Sequence, residues 1–169
     1  SPELFKAISA EVVRRRLDNF NPQDLSNMAW AFATAGQPSP ELFKAISAEV
    51  VRRRLDNFNP QDLSNMAWAF ATAGQPSPEL FKAISAEVVR RRLDNFNPQD
   101  LSNMAWAFAT AGQPSPELFK AISAEVVRRR LDNFNPQDLS NMAWAFATAG
   151  QPSPELFKAI SAEVVRRRL

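Results

Sequence analysis

Four short segments of the chain carry the same small hydrogen-bonding side chains at helical spacing. In one of them, Gln61 and Asn65 stand four residues apart, which places both amides on one face of a helix. An amide donates and accepts hydrogen bonds without carrying charge, so a repeated row of amides suits the edges of nucleic-acid bases. A solvated helix face with capping residues is the alternative interpretation of the same residues.

We predict that the base-facing set combines one asparagine, one glutamine and one aspartate from each segment. Its members are Asn27, Asn65, Asn103 and Asn141, with Gln23, Gln61, Gln99 and Gln137, and with Asp24, Asp62, Asp100 and Asp138.

Triple-arginine runs are a second candidate, because guanidinium groups bind phosphate. A structural role is also open, since cations at a helix C-terminus offset the dipole and Glu11 can pair with Arg14 and Arg15. We predict weak phosphate contacts from the last arginine of each run: Arg16, Arg54, Arg92 and Arg130. Trp30 and its copies could stack on bases, but their place at the edge of the apolar side favours packing.

Composition argues against catalysis and metal binding. The 169 residues include no cysteine and no histidine, which removes thiolate chemistry and the commonest metal ligand and general base. The four glycines occur one per segment and form no phosphate loop. We therefore expect no enzyme activity, no cofactor, no metal and no membrane insertion. The net charge of +2 leaves the nature of a partner open.

All these residues are carried by a 38-residue unit that recurs without a substitution. We predict a single repeat domain over residues 1–169, with units 1–38, 39–76, 77–114 and 115–152 and a half unit of one helix at 153–169. Natural repeats diverge, so identical copies indicate a designed protein.

Each unit predicts two helices. In unit 77–114, Ser77 precedes Pro78 as a helix N-cap, and the apolar series from Leu80 to Leu93 follows at helical spacing. The second helix is predicted from Pro98 to Ala111, with Asn97 and Asp100 as a capping box, Gly112 as the stop and Pro114 preventing continuation. The predicted fold is all-α, a right-handed α-solenoid of 38-residue helix–turn–helix repeats.

The apolar arc of the first helix is expected to wrap more than half of its circumference and to include Val89. Its solvated face is expected to hold Glu79, Lys82, Glu87 and Arg90.

Residues 58–74 resemble the second half of an octotricopeptide repeat, with the sequence FNPQDLSNMAWAFATAG. Residues 75–81 are similar to the Pro-Pro-Pro-Glu-Trp signature of that family, with Ser77 at its middle proline. The resemblance covers every residue of the chain. It implies an RNA-binding protein of chloroplasts or mitochondria that binds single-stranded RNA along a superhelix, with about one nucleotide per unit on the concave face.

Our leading hypothesis is a designed repeat protein for modular binding of single-stranded RNA. A structural scaffold without a ligand is the alternative, favoured by the balance of four cations and four carboxylates in each unit. A groove for an extended peptide is a third possibility. First-type helices are predicted at both ends, Pro2 to Leu17 and Pro154 to Leu169, and their exposed apolar side chains suggest weak end-to-end self-association.

Overall fold

The computed structural model describes residues 1–37, 39–75, 77–113 and 115–169. Within these residues the chain forms α-helices and two single 3-10 turns, Leu55–Asn57 and Leu131–Asn133, without a β-strand. The helices are α1 Pro2–Arg15, α2 Pro22–Thr34, α3 Pro40–Arg52, α4 Pro60–Thr72, α5 Pro78–Arg90, α6 Pro98–Thr110, α7 Pro116–Arg128, α8 Pro136–Thr148 and α9 Pro154–Arg167. The predicted all-α architecture is confirmed. We call the odd-numbered helices A-helices and the even-numbered ones B-helices.

The A-helices are shorter than predicted. Helix α5 ends at Arg90, because Arg91 is already extended with φ −86° and ψ 163°. Leu93 therefore lies in the link after the helix, where it is still buried. The terminal A-helices likewise end at Arg15 and Arg167, and the predictions that they reach Leu17 and Leu169 were wrong.

The serine caps of the A-helices differ between units. The Ser39 hydroxyl accepts a hydrogen bond from the backbone N–H of Leu42 at 3.4 Å. Ser77 occupies the same position before α5 but makes no such bond. Its hydroxyl pairs with the hydroxyl of Ser47 in the preceding unit, as the hydroxyl of Ser39 does with that of Ser9. The predicted side-chain cap is therefore absent at Ser77.

The B-helices begin where their sequence predicts and end one residue before the predicted Ala111. The backbone N–H of Asp100 donates to Asn97 Oδ1 at 2.7 Å, and the N–H of Asn97 donates to Asp100 Oδ2 at 3.0 Å, which completes a capping box. Gly112 ends α6 with φ +64°, a left-handed conformation in which a side chain is strained. The helix stops at Thr110 with Ala111 as its C-cap, and Pro114 lies outside the described residues.

The core lies between the two helix layers. In each unit, one phenylalanine of the A-helix meets one of the B-helix edge to face, as in the pair of Phe81 and Phe108 with centroids 4.9 Å apart. Leu80, Ile84 and Val88 are buried beside them. The apolar arc is narrower than predicted, since Val89 is 41% exposed.

The two layers pack differently along the stack. Consecutive B-helices make close contact over most of their length, whereas consecutive A-helices touch far less. Small residues permit this approach: Ala69 and Ala107 are fully buried, and the Ser64 hydroxyl donates to the Asp100 carbonyl of the next B-helix at 3.0 Å. The open side of the B-helices, opposite the buried Leu63 and Phe70, is called the inner face below.

Arginines tie each unit to the one before it. Arg91 donates from Nη2 to the carbonyls of Leu55 at 2.7 Å and Phe58 at 2.5 Å, and from Nε to Glu87 at 2.6 Å. The Glu87 side chain is only 10% exposed, so its predicted place on a solvated face was wrong. The carboxylate is covered because it holds the arginine that anchors the preceding link.

Candidate nucleic-acid interface

The inner face of each B-helix is a narrow stripe of four side chains. At about 100° per residue, Gln61, Asn65, Trp68 and Thr72 of α4 fall within an arc of about 60°. The residues on either side of this arc are occupied by packing, since Ser64 bonds to the next B-helix. The same stripe recurs in all four B-helices because their sequences are identical.

The predicted amides all lie in this stripe. The glutamine side chains are exposed in every unit, Asn27 is exposed, and the other three asparagines are half-buried. Within the described part of the chain, none of these eight side chains makes a hydrogen bond to another residue. Their donors and acceptors are accordingly available to a ligand. The eight are Asn27, Asn65, Asn103 and Asn141 with Gln23, Gln61, Gln99 and Gln137.

The predicted aspartates have a structural task. Each carboxylate accepts a hydrogen bond from the backbone N–H of the asparagine that starts its B-helix, as Asp62 does at 3.1 Å. Asp62, Asp100 and Asp138 are 7% exposed, whereas Asp24 is exposed because no B-helix precedes α2. Burial raises the pKa of Asp62 and Asp100 above its ordinary value. Base contacts by these aspartates remain a prediction. Because the carboxylates are engaged in the capping boxes, the amides are better placed to contact bases.

Tryptophans form a ladder along the inner face. The centroids of Trp30 and Trp68 are 6.4 Å apart, those of Trp68 and Trp106 6.4 Å, and those of Trp106 and Trp144 6.5 Å. Successive rings are inclined by 30–33°. Trp30 is 44% exposed and Trp144 46% exposed, and the two central rings are half-buried. Sequence analysis favoured packing for these residues; the signal for exposure was their position about 20° from the glutamine.

The three arginines of each run have three different environments. Arg90 pairs with Glu87 at 2.5 Å and is 62% exposed, while Arg91 is 14% exposed in its contacts with the preceding unit. Arg92 is exposed and has no ion pair or hydrogen bond within the described residues. The same holds for the other arginines predicted to contact phosphate: Arg16, Arg54 and Arg130.

These exposed arginines lie in the links that lead from each A-helix into the next B-helix. Arg54 lines a shallow hollow of about 370 Å³ together with Asp56 and Arg90. The hydrogen bond from Arg90 to Glu87 raises the pKa of Arg90 above its ordinary value, and the charge of Asp56 adds a smaller effect in the same direction. A phosphate bound here would meet guanidinium groups flanked by the carboxylates of Asp56 and Glu87.

A second repeated feature lies on the outer, A-helix side. Grooves between adjacent A-helices have volumes of about 410 to 540 Å³. The groove of about 530 Å³ has Phe43, Phe70 and Val51 in its walls, with Lys44 from one unit and Glu79 from the next. Its charges balance, so it offers no net attraction to a charged ligand.

Over the residues described, no cluster of three or more acidic side chains is arranged to hold a metal ion. None of the described helices is long and apolar enough to cross a membrane.

Comparison with known sequences identifies the family. The family model for RNA-editing substrate-binding complex 6 proteins matches residues 2–166. No individual curated protein matches the chain significantly. The family is helical and related to RNA, in agreement with the repeated helix pairs and the amide-lined inner face. The chain belongs to the family of RNA-editing substrate-binding complex 6 proteins.

Proposed function

We propose that the inner face binds single-stranded RNA, with about one nucleotide per unit. In this proposal the chain is a designed, octotricopeptide-type repeat protein whose stack is a right-handed superhelix, and it binds without catalysing a reaction. The asparagines and glutamines of the inner face contact base edges. The exposed arginines of the links contact phosphates.

One observation carries the proposal: amides without a hydrogen-bond partner among the described residues recur at the same place in every B-helix. Charged side chains solvate a helix better than amides, so a face needed only for solubility would favour glutamate and lysine at these positions. The name of the family, which contains the words RNA-editing substrate-binding, supports the same class of ligand.

The charge distribution sets the expected affinity. The B-helices contain no lysine, arginine or glutamate, and their aspartates serve the capping boxes. Attraction to phosphate therefore comes mainly from the one arginine per unit that is exposed and has no ion pair among the described residues, and carboxylates lie beside it. With about four nucleotides bound, we expect dissociation constants on the order of micromolar or weaker, and a shallow dependence on salt.

Fluorescence anisotropy with labelled homopolymers of the four RNA bases tests the proposal. Identical units should prefer the same base, so one homopolymer should bind more tightly than the other three. Replacing Asn27, Asn65, Asn103 and Asn141 together by alanine should abolish this preference. The four asparagines of the links, Asn19, Asn57, Asn95 and Asn133, provide the matched control, because they are exposed but lie outside the inner face.

The arginines are tested in the same way. Changing Arg16, Arg54, Arg92 and Arg130 to glutamine should weaken binding to all four homopolymers and should reduce its salt dependence. Changing the exposed lysines of the outer face, Lys6, Lys44, Lys82 and Lys120, removes the same charge and should have a much smaller effect. Equal effects of the two variants would show that only overall charge matters.

A scaffold without a ligand is the second candidate, favoured by the near balance of charge. It predicts no saturable binding of any homopolymer at millimolar protein concentration. The outer grooves fit a third candidate, an extended peptide. Binding of a peptide that lysine changes abolish and asparagine changes leave intact would favour that candidate over RNA.

A further inference from the structure

The tryptophan ladder runs along one side of the inner face. Trp68 lies within an arc of about 60° that also contains Gln61 and Asn65, and the flanks of the helix are used for contacts with neighbouring B-helices. The indole is the only aromatic side chain in this arc. Each unit thus presents one flat apolar surface beside two amides.

Packing alone does not explain this position. The other aromatic residues of the B-helices are 1–2% exposed: Phe32, Phe70, Phe108 and Phe146. Trp30 and Trp144 are 44% and 46% exposed, and Trp68 and Trp106 pack against the core and are half-buried. A row of partly exposed large apolar side chains along one face is typical of a binding surface.

The order of the rings matches a strand that runs along the stack. Successive centroids are 6.4–6.5 Å apart and the rings are inclined by only 30–33°, so the indoles follow one another from unit to unit. Stacking of a base on an aromatic ring is independent of base identity, because every base has a π-face. Hydrogen bonds from amides discriminate between bases.

We infer that Trp30, Trp68, Trp106 and Trp144 are the stacking surface for the bases of a bound single strand, one base per indole. This inference rests on the proposed function and assigns two parts of RNA recognition to two sets of side chains. The indoles supply affinity that is the same for all bases. Asn65 and Gln61, with their copies, supply the preference among bases.

The first test uses the fluorescence of these four tryptophans, which are the only ones in the chain. Saturating homopolymer RNA should quench the emission, with a midpoint equal to that from anisotropy. A strand of sugar and phosphate without bases should leave the emission unchanged. Quenching by the strand without bases, or no quenching by bound RNA, would overturn the inference.

The second test compares substitutions at the two outermost rings, which are the most exposed. Trp30→Leu with Trp144→Leu should weaken binding of all four homopolymers by at least about tenfold and leave their ranking unchanged. Trp30→Phe with Trp144→Phe keeps an aromatic face and should restore most of the affinity. Denaturation curves identify any loss of folding, and binding of the strand without bases should be the same in all variants.

The outcomes separate the two proposals. Absence of RNA binding by the unaltered chain refutes the proposed function. RNA binding that depends on the inner-face asparagines but is unchanged by the leucine substitutions refutes the stacking role alone. A leucine variant that changes the ranking of the bases also refutes it, because stacking would then not be the sequence-independent part of recognition.

Discussion

Arg91 should contribute far more to stability than Arg15, although the two residues occupy the same position in identical units. Arg91 is 14% exposed and donates to the carbonyls of Leu55 and Phe58 in the preceding unit. Among the described residues Arg15 pairs only with Glu11, contacts no other unit and is 70% exposed. The comparison isolates the contact between units from the helical ion pair, which both residues make.

The magnitude follows from the groups that Arg91→Gln would leave without a partner. Hydrogen bonds from a charged donor each contribute about 1.5–3 kcal/mol, and two backbone carbonyls lose such a donor. The 10% exposed carboxylate of Glu87 keeps only Arg90. Ordering the long Arg91 side chain costs conformational entropy on folding, and the substitution removes part of that cost. We therefore expect a net destabilisation of about 2–4 kcal/mol.

Urea denaturation followed by circular dichroism measures the effect. With a slope of about 2 kcal/mol per molar urea, Arg91→Gln should lower the midpoint by about 1–2 M. Arg91→Lys should lie between, since an ammonium retains the charge but lacks the planar fork that reaches both carbonyls. Arg15→Gln should leave the midpoint nearly unchanged. Equal shifts for Arg91→Gln and Arg15→Gln would refute the role assigned to the contact between units.

Three further predictions concern single features of the fold. Ser64→Ala removes the buried hydrogen bond to the Asp100 carbonyl and should destabilise by about 1 kcal/mol in urea titration, whereas Ser140→Ala, in the same sequence but exposed, should not. Gly74→Ala places a methyl group in open space but at φ +64°, so it should lower the free energy of unfolding by about 1–2 kcal/mol through backbone strain alone. The neighbouring control Ala73→Gly should cost less. Hydrogen bonds from Arg166 and then Arg167 lower the pKa of Glu163 from 4.5 to about 2, so its contribution to stability is present above pH 4.5 and lost toward pH 2. The raised pKa values of Asp62 and Asp100 have the opposite effect on stability, but more carboxylates have lowered pKa values. The urea midpoint should therefore fall as the pH decreases from 4.5 to about 2, and it should fall less in Glu163→Gln.

Local chemistry made the helix boundaries predictable. The capping box of Asn97 and Asp100 and the left-handed Gly112 depend on residues within a few positions of each other. The C-terminal ends of the A-helices were overestimated, because the apolar pattern continues through Leu93. What ends the helix there is the extended backbone of Arg91, whose side chain is bound by residues 33 and 36 positions earlier.

Contacts between units were beyond the sequence pattern, because they depend on how the units stack. Identical residues show this directly: Asp62 is buried against a neighbouring B-helix and Asp24 is exposed. The amide stripe was predictable from spacing within one helix. The tryptophan ladder was not, since the distance between rings depends on the close approach of B-helices that alanine and serine permit.

The central claim is that RNA lies along the inner face with about one nucleotide per unit. The most direct measurement is the affinity of the preferred homopolymer as its length increases from one to eight nucleotides. The account predicts that affinity rises steeply up to about four nucleotides, one for each B-helix, and gains only slowly and statistically beyond that length. The steep rise should be absent when the four inner-face asparagines and the two outermost tryptophans are replaced. An affinity that continues to rise steeply to eight nucleotides, or that these replacements leave unchanged, would contradict it.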